Sequence, residues 1–167
     1  MMQEQQQRRH PFDQGPHLSA AFLCERVLIE QDGVKSAIRI VDRTTRTVIG
    51  PSPPPEMPPF PHSYFLLLRL KSGQARGPAT VTIRFVKPSG ESPTPLIQTI
   101  HFEGEDDRGV DLVTQLQVEF DRAGLYWFDV YLDDVRITRI PLRIVYQPQI
   151  MQTGIGGTPR PPAEGPA

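Results

Sequence analysis

The stretch Gly124–Tyr146, GLYWFDVYLDDVRITRIPLRIVY, alternates apolar and polar residues more regularly than any other part of the chain. Tyr126, Phe128, Val130 and Leu132 share one parity; Trp127, Asp129, Tyr131 and Asp133 share the other. Past the acidic turn, Ile140, Leu142, Ile144 and Tyr146 are interleaved with Arg139, Pro141 and Arg143. Successive strand residues point to opposite faces, so the pattern demands a hairpin with a core on one side and water on the other. Two strands bury too little apolar surface to stand alone. The rest of the chain must therefore supply an opposing sheet.

It offers several more strands. Leu18–Gln31 alternates through Ala20, Phe22 and Cys24, then through Val27 and Ile29 on the other parity, which a β-bulge near Glu25–Arg26 would explain. Helical spacing at Leu23 and Val27 is the rival reading. Asp32–Gly33 favours a hairpin, with a type I′ turn leading into a strand that sets Val34, Ser36, Ile38 and Ile40 on one face. Thr44–Ile49 either extends that strand or opens a loop. Pro51–Pro61 holds seven prolines in eleven residues. Proline lacks the N–H that a ladder needs, so this segment is a stiff crossover between edges or sheets. Its PxxP spacings could also engage a partner's aromatic groove.

His62–Lys71 is apolar on both faces at its centre, as befits an interior strand or one covered by the proline crossover. Ala79–Lys87 turns Val81, Ile83 and Phe85 inward. Leu96–Glu103 and Val110–Phe120 follow, around the acidic loop Gly104–Gly109. About eight strands and no long amphipathic helix predict an all-β domain over 18–146, an antiparallel two-sheet sandwich. A small closed barrel is the alternative. Residues 1–17, rich in glutamine, and 147–167, rich in proline and glycine, are expected to be disordered.

Two blocks resemble a family of small bacterial proteins of unknown function. AFLCERVLIEQDGVKSAIRIVDR, Ala21–Arg43, matches an opening made of a Cys-Glu strand, a Gly turn and a Ser-aliphatic strand ending near Asp-Arg. GLYWFDVYLDD with IPLRIVY matches an ending of Gly-x-Tyr-x-Phe-x-Val and Pro-Leu strands. The resemblance implies an immunoglobulin-like sandwich and carries no activity with it.

Chemistry is sparse. The single cysteine, Cys24, excludes a disulfide framework or a cysteine-based zinc site, and suits a cytoplasmic protein. Within an apolar strand it is expected to be a small buried hydrophobe. Net charge is −1, which gives no general attraction to nucleic acid or to membrane, and the longest apolar run is too short to cross a bilayer. No phosphate loop, catalytic triad or HExxH pattern occurs, so no enzyme and no cofactor are expected. Glu103, Glu105, Asp106, Asp107 and Asp111 crowd one loop, where Asp106, Asp107 and Asp111 are an alternative cation or small-ligand site, but the ordered calcium-loop frame is missing. A protein-interaction or assembly module is the preferred reading, with self-association one form of it. Its candidate contact residues are Trp127 and Tyr131, on the hairpin's wet face, and Arg39, Asp42 and Arg43, at the end of the second strand.

Overall fold

In a computed structural model of the chain, residues 14–151 are described. Nine strands run β1 (His17–Ile29), β2 (Lys35–Val41), β3 (Arg43–Gly50), β4 (Phe60–Lys71), β5 (Arg76–Val86), β6 (Leu96–Glu103), β7 (Gly109–Phe120), β8 (Gly124–Leu132) and β9 (Val135–Ile150). They form a four-stranded sheet in the order β2-β1-β4-β7 and a five-stranded sheet in the order β3-β9-β8-β5-β6. The two pack face to face as a sandwich. The barrel alternative is set aside by the two separate sheets.

The organising hairpin forms as its alternation requires. Tyr126, Phe128, Val130, Leu132, Leu142 and Ile144 are all within 1% of complete burial. Opposite them, β4 contributes Tyr64, Leu66, Leu68 and Leu70. An aromatic cluster plugs one end of the core. Phe85 stacks on Tyr126 at 5.5 Å, and Phe120 meets Tyr126 edge-on at 4.9 Å.

That end carries a tyrosine corner. The Tyr126 hydroxyl lies 2.8 Å from the Arg122 carbonyl and 2.9 Å from an Asp121 carboxylate oxygen, and accepts from the Arg122 N–H at 3.2 Å. Burial, then the Asp121 carboxylate, push this hydroxyl up to about 12, so it stays a donor at any ordinary pH. A tyrosine near the start of a strand, bonded back to the preceding turn, is a hallmark of immunoglobulin-like sandwiches. The topology agrees: β4 beside β7, and β9-β8-β5 opposite, reproduce the B–E and G–F–C neighbours of that fold. Gly124 opens β8 because a Cβ there would meet the Pro88 ring at 2.8 Å.

Several expectations are corrected. One pair is not antiparallel: β3 runs parallel to β9, from Arg43↔Arg143 to Gly50↔Ile150. Thr44–Ile49 is thus a strand of its own, because the chain changes sheets at Asp42. Strand β9 continues four residues past Tyr146, into the stretch read as tail, because β3 pairs with it there. At the other end the stretch read as a disordered arm, 1–17, is structured from Gln14: its carbonyl accepts from the Gln74 N–H at 2.9 Å and His17 begins β1, while residues 1–13 and 152–167 lie outside those described.

The first hairpin differs most. Its loop is longer than the Asp-Gly signal promised. Gly33 N–H bonds the Glu30 carbonyl, and only Gly33 has positive φ. That is a type I turn closed by a left-handed glycine, not type I′. Positive φ at two successive residues occurs instead at Asp133–Asp134. No register shift lies at Glu25–Arg26; the one in β1 falls between Leu18 and Ala20. After Cys24 the strand leaves β4 and pairs with β2 alone. The hairpin then turns back over the outer face of the four-stranded sheet. Lys35, near its tip, reaches Asp111 at 3.0 Å, and Asp111 stands beside Arg69 and Ala20 at the far end of that sheet. Arg39, opposite Glu25, marks the bend with φ of 54°. The fold-back shelters Cys24 and Leu67 on a face with no second sheet above it, and both are buried. It also leaves Ile38 and Ile40, which the alternation sets on one face, exposed. The proline segment links the two sheets. It crosses from β3 to β4 over one end of the sandwich, inserts Met57, and is tied by Tyr146 Oη to the Pro54 carbonyl at 2.6 Å.

Candidate functional site: an arginine and aromatic sheet face

The outer face of the five-stranded sheet collects residues that are distant in sequence. On β8, Trp127, Asp129 and Tyr131 alternate with the core residues and point outward. Register sets Pro141, Arg139 and Arg136 of β9 beside them, and Val86, Arg84 and Thr82 of β5 on the other flank. The parallel edge strand adds Arg43 directly beside Arg143.

Electrostatics knit the centre. Asp129 is 5% exposed although it lies on the outer face. Arg139 Nε reaches its carboxylate at 2.7 Å, and Arg136 approaches it at 3.9 Å. The Arg139 guanidinium also lies over the Trp127 ring, 4.5 Å from its centroid, and Arg84 lies over Tyr131 at 4.6 Å. Such cation–π contacts hold the arginines flat and desolvate the rings. Arg43 and Arg143 have no ion pair among the described residues. Like charges set side by side on neighbouring strands repel. The face therefore carries five arginines against one buried carboxylate, on a chain whose net charge is −1.

The residues proposed from sequence fall in two places. Trp127, Tyr131 and Arg43 share this face, and Asp42 stands at its rim, where Arg43, Pro141, Arg143 and Asp42 line a shallow pocket. The Asp42 carbonyl accepts from the Arg143 N–H at 2.8 Å, which fixes the change of sheets beside the face. Arg39 does not join them. It sits at the bend of the folded-back hairpin, its Nε 2.8 Å from Glu25 in a cross-strand ion pair. Sequence reasoning left out Arg84, Arg136, Arg139 and Arg143. The alternation already placed Arg139 and Arg143 outward; only the strand order shows that β3 and β5 bring further arginines alongside.

The acidic cluster is otherwise engaged. Asp111 takes Arg69 through both oxygens at 2.7 and 2.8 Å, as well as Lys35. The Arg69 hydrogen bonds, opposed by partial burial and reinforced by Lys35, hold its carboxyl down at about 2. Glu103 and Glu105 both pair with Arg108. Asp106 and Asp107 stand in the exposed turn before β7. Among the described residues no three His, Cys, Asp or Glu side chains are grouped so as to hold a metal ion, and no helix is long and apolar enough to cross a membrane. Cys24 is buried, and burial pushes its thiol up, away from the reactive thiolate.

Comparison with known proteins adds a family. No curated protein matches the chain. Among solved structures, the CARDB domain of a Pyrococcus furiosus protein, in complex with di-metal ions, is similar at a TM-score of 0.39 and 9% identity, covering 77% of this chain and 94% of that domain. The pattern of a family of unknown function, DUF6941, matches residues 19–145, which hold the sandwich from β1 nearly to the end of β9. The chain belongs to that family.

Proposed function

We infer that the domain is a non-catalytic binding module that holds an acidic segment of a partner protein against the outer face of its five-stranded sheet. The observation that carries this is the unbalanced charge around Trp127 and Tyr131. Among the described residues Arg43 and Arg143 stand beside one another without an ion pair, Arg136 and Arg139 share the Asp129 carboxylate, and Arg84 lies over Tyr131 with no carboxylate of its own. Carboxylates on a partner would relieve that repulsion through charge-assisted hydrogen bonds, and the aromatic rings supply contact area beneath them. Self-association through this face is disfavoured, because two copies would oppose arginine to arginine. Stacking of nucleic-acid bases is disfavoured too, since guanidinium groups already cover the Trp127 and Tyr131 rings. The buried free thiol is in keeping with a reducing, cytosolic setting.

Trp127 is the only tryptophan, so its emission reports on this face directly. Titration with a hexaglutamate peptide is expected to shift that emission, with an affinity that falls roughly tenfold between about 0.05 M and about 0.5 M salt. The double variant Arg43→Ser/Arg143→Ser should keep its fold and lose most of the response. A response to single-stranded oligonucleotide in place of the acidic peptide would overturn the reading, as would no response to either.

A further inference from the structure

The seam between the sheets on the side away from β1 has a gap. Strand β7 pairs with β4 along its whole length, and among the described residues its other edge has no strand beside it. Across the seam, β6 pairs with β5 only as far as Ile83↔Leu96, so Arg84, Phe85 and Val86 pair with β8 on one side and with no strand of the described residues on the other. The intervening loop carries Pro88, Pro93 and Pro95, which cannot donate to a ladder. At one end a Thr114–Gln98 hydrogen bond of 3.0 Å ties β7 to β6. From there, along Gln115–Glu119, the sandwich opens into a slot of about 510 Å³. Ile83, Phe85, Leu116 and Phe128 form its apolar walls, and Leu96 stands at its mouth.

Topology explains the gap. An immunoglobulin sandwich places a strand D beside E, its first sheet reading A-B-E-D. Here the strands equivalent to C′ and E, β6 and β7, are joined by a short acidic loop, and no strand D exists among the described residues. Two unpaired backbone edges and an apolar cavity between them are therefore left where a strand belongs.

We propose that this slot takes an extended segment of a partner protein as its missing strand. The segment pairs along β7 and lowers alternate aliphatic side chains onto Phe85, Leu116 and Phe128. Such strand addition draws affinity from main-chain hydrogen bonds and specificity from every second side chain. The part of that edge beside the slot spans five residues, about 17 Å of strand, too little for the ~800 Å² per partner that two folded domains need. The occupant is thus a linear segment and not a second folded copy. Charge selects its end. Lys87 at the slot is already held by Asp121 and Glu91, which leaves Glu119 as the lining charge without an ion pair among the described residues. A basic residue at the end of the added strand meets it. This preference is opposite to that of the arginine face, so the two sites are separable.

The test uses the full chain and a synthetic peptide of alternating valine and serine ending in two lysines. With peptide present, alternate amides among Gln115–Glu119 are expected to exchange with solvent roughly tenfold more slowly, while the Trp127 face stays unchanged. Leu96→Trp, at the exposed mouth, should abolish the effect without altering thermal unfolding. Glu119→Lys should weaken this peptide several-fold and favour one whose lysines are replaced by glutamates. Protection elsewhere, or protection that survives Leu96→Trp, would overturn the proposal. So would protection, without peptide, of those amides among Gln115–Glu119 that face away from β4, because the slot would then be filled by the chain itself.

Discussion

The two hairpins, β8–β9 and β1–β2, look alike in sequence and behave differently. Both alternate, and both close on an aspartate-bearing turn. Yet β8–β9 is flanked on both sides, by β5 and β3, and its inner face meets the other sheet. Beyond Cys24, β1–β2 has only itself, and it folds back as a flap held by the Lys35–Asp111 ion pair. Alternation dictates orientation only where one face meets a core. In β8–β9 it separated core from surface; in β2 it set Ile38 and Ile40 on one face that meets no core, because neither side there is fully buried.

The largest test of this contrast is core truncation. Phe128→Ala should cost about 3–5 kcal/mol, read as a fall in the urea midpoint, because it removes a fully buried aromatic side chain. Ile40→Ala on the other hairpin should fall within about 0.5 kcal/mol, since its side chain is already largely in water. Equal losses would erase the distinction.

Next comes the tyrosine corner that anchors β8. Tyr126→Phe should cost about 1–3 kcal/mol, because it strips partners from the Asp121 carboxylate and the Arg122 carbonyl.

Smaller effects concern the flap. Asp111 titrates at about 2 in the folded protein, below its ordinary 3.8. A carboxylate held below its unfolded value contributes stability that is complete above the unfolded pKa and is lost as pH falls through the folded one. Stability should therefore decline between about pH 4 and pH 2, by on the order of 1 kcal/mol once the exposure of Arg69 is allowed for, and Asp111→Asn should flatten that part of the profile. At neutral pH, Lys35→Met should loosen the flap. Cys24, the single thiol, would then react with an aromatic disulfide reagent roughly tenfold faster, while β8 stays intact. Unchanged thiol reactivity would mean that packing, and not the ion pair, holds the flap down.

Much of the sandwich was legible beforehand, for a local reason. Period-two patterning in β5, β7, β8 and β9 sets inside from outside without knowledge of neighbours, and the prolines of Pro51–Pro61 rule that stretch out as a ladder. Strand order was not legible. The parallel seating of β3 on β9 is a long-range event, and it is what turns Arg43 from an isolated charge into the neighbour of Arg143. The type I′ geometry at Asp133–Asp134 was also hidden, since aspartate tolerates positive φ less readily than the glycine that marked the other turn. The tyrosine corner does leave a trace, a turn ending Ala-Gly with tyrosine two residues on, but that signal is weaker than the alternation around it.

Amide hydrogen exchange of the unliganded protein compares the two hairpins most directly. Amides of Tyr126–Leu132 and Ile140–Ile144 should exchange only through global unfolding, and those of Glu25–Ile29 and Lys35–Arg39 at least roughly a hundredfold faster. Equal protection of the two, or faster exchange in β8–β9, would contradict an architecture built around the Gly124–Tyr146 hairpin.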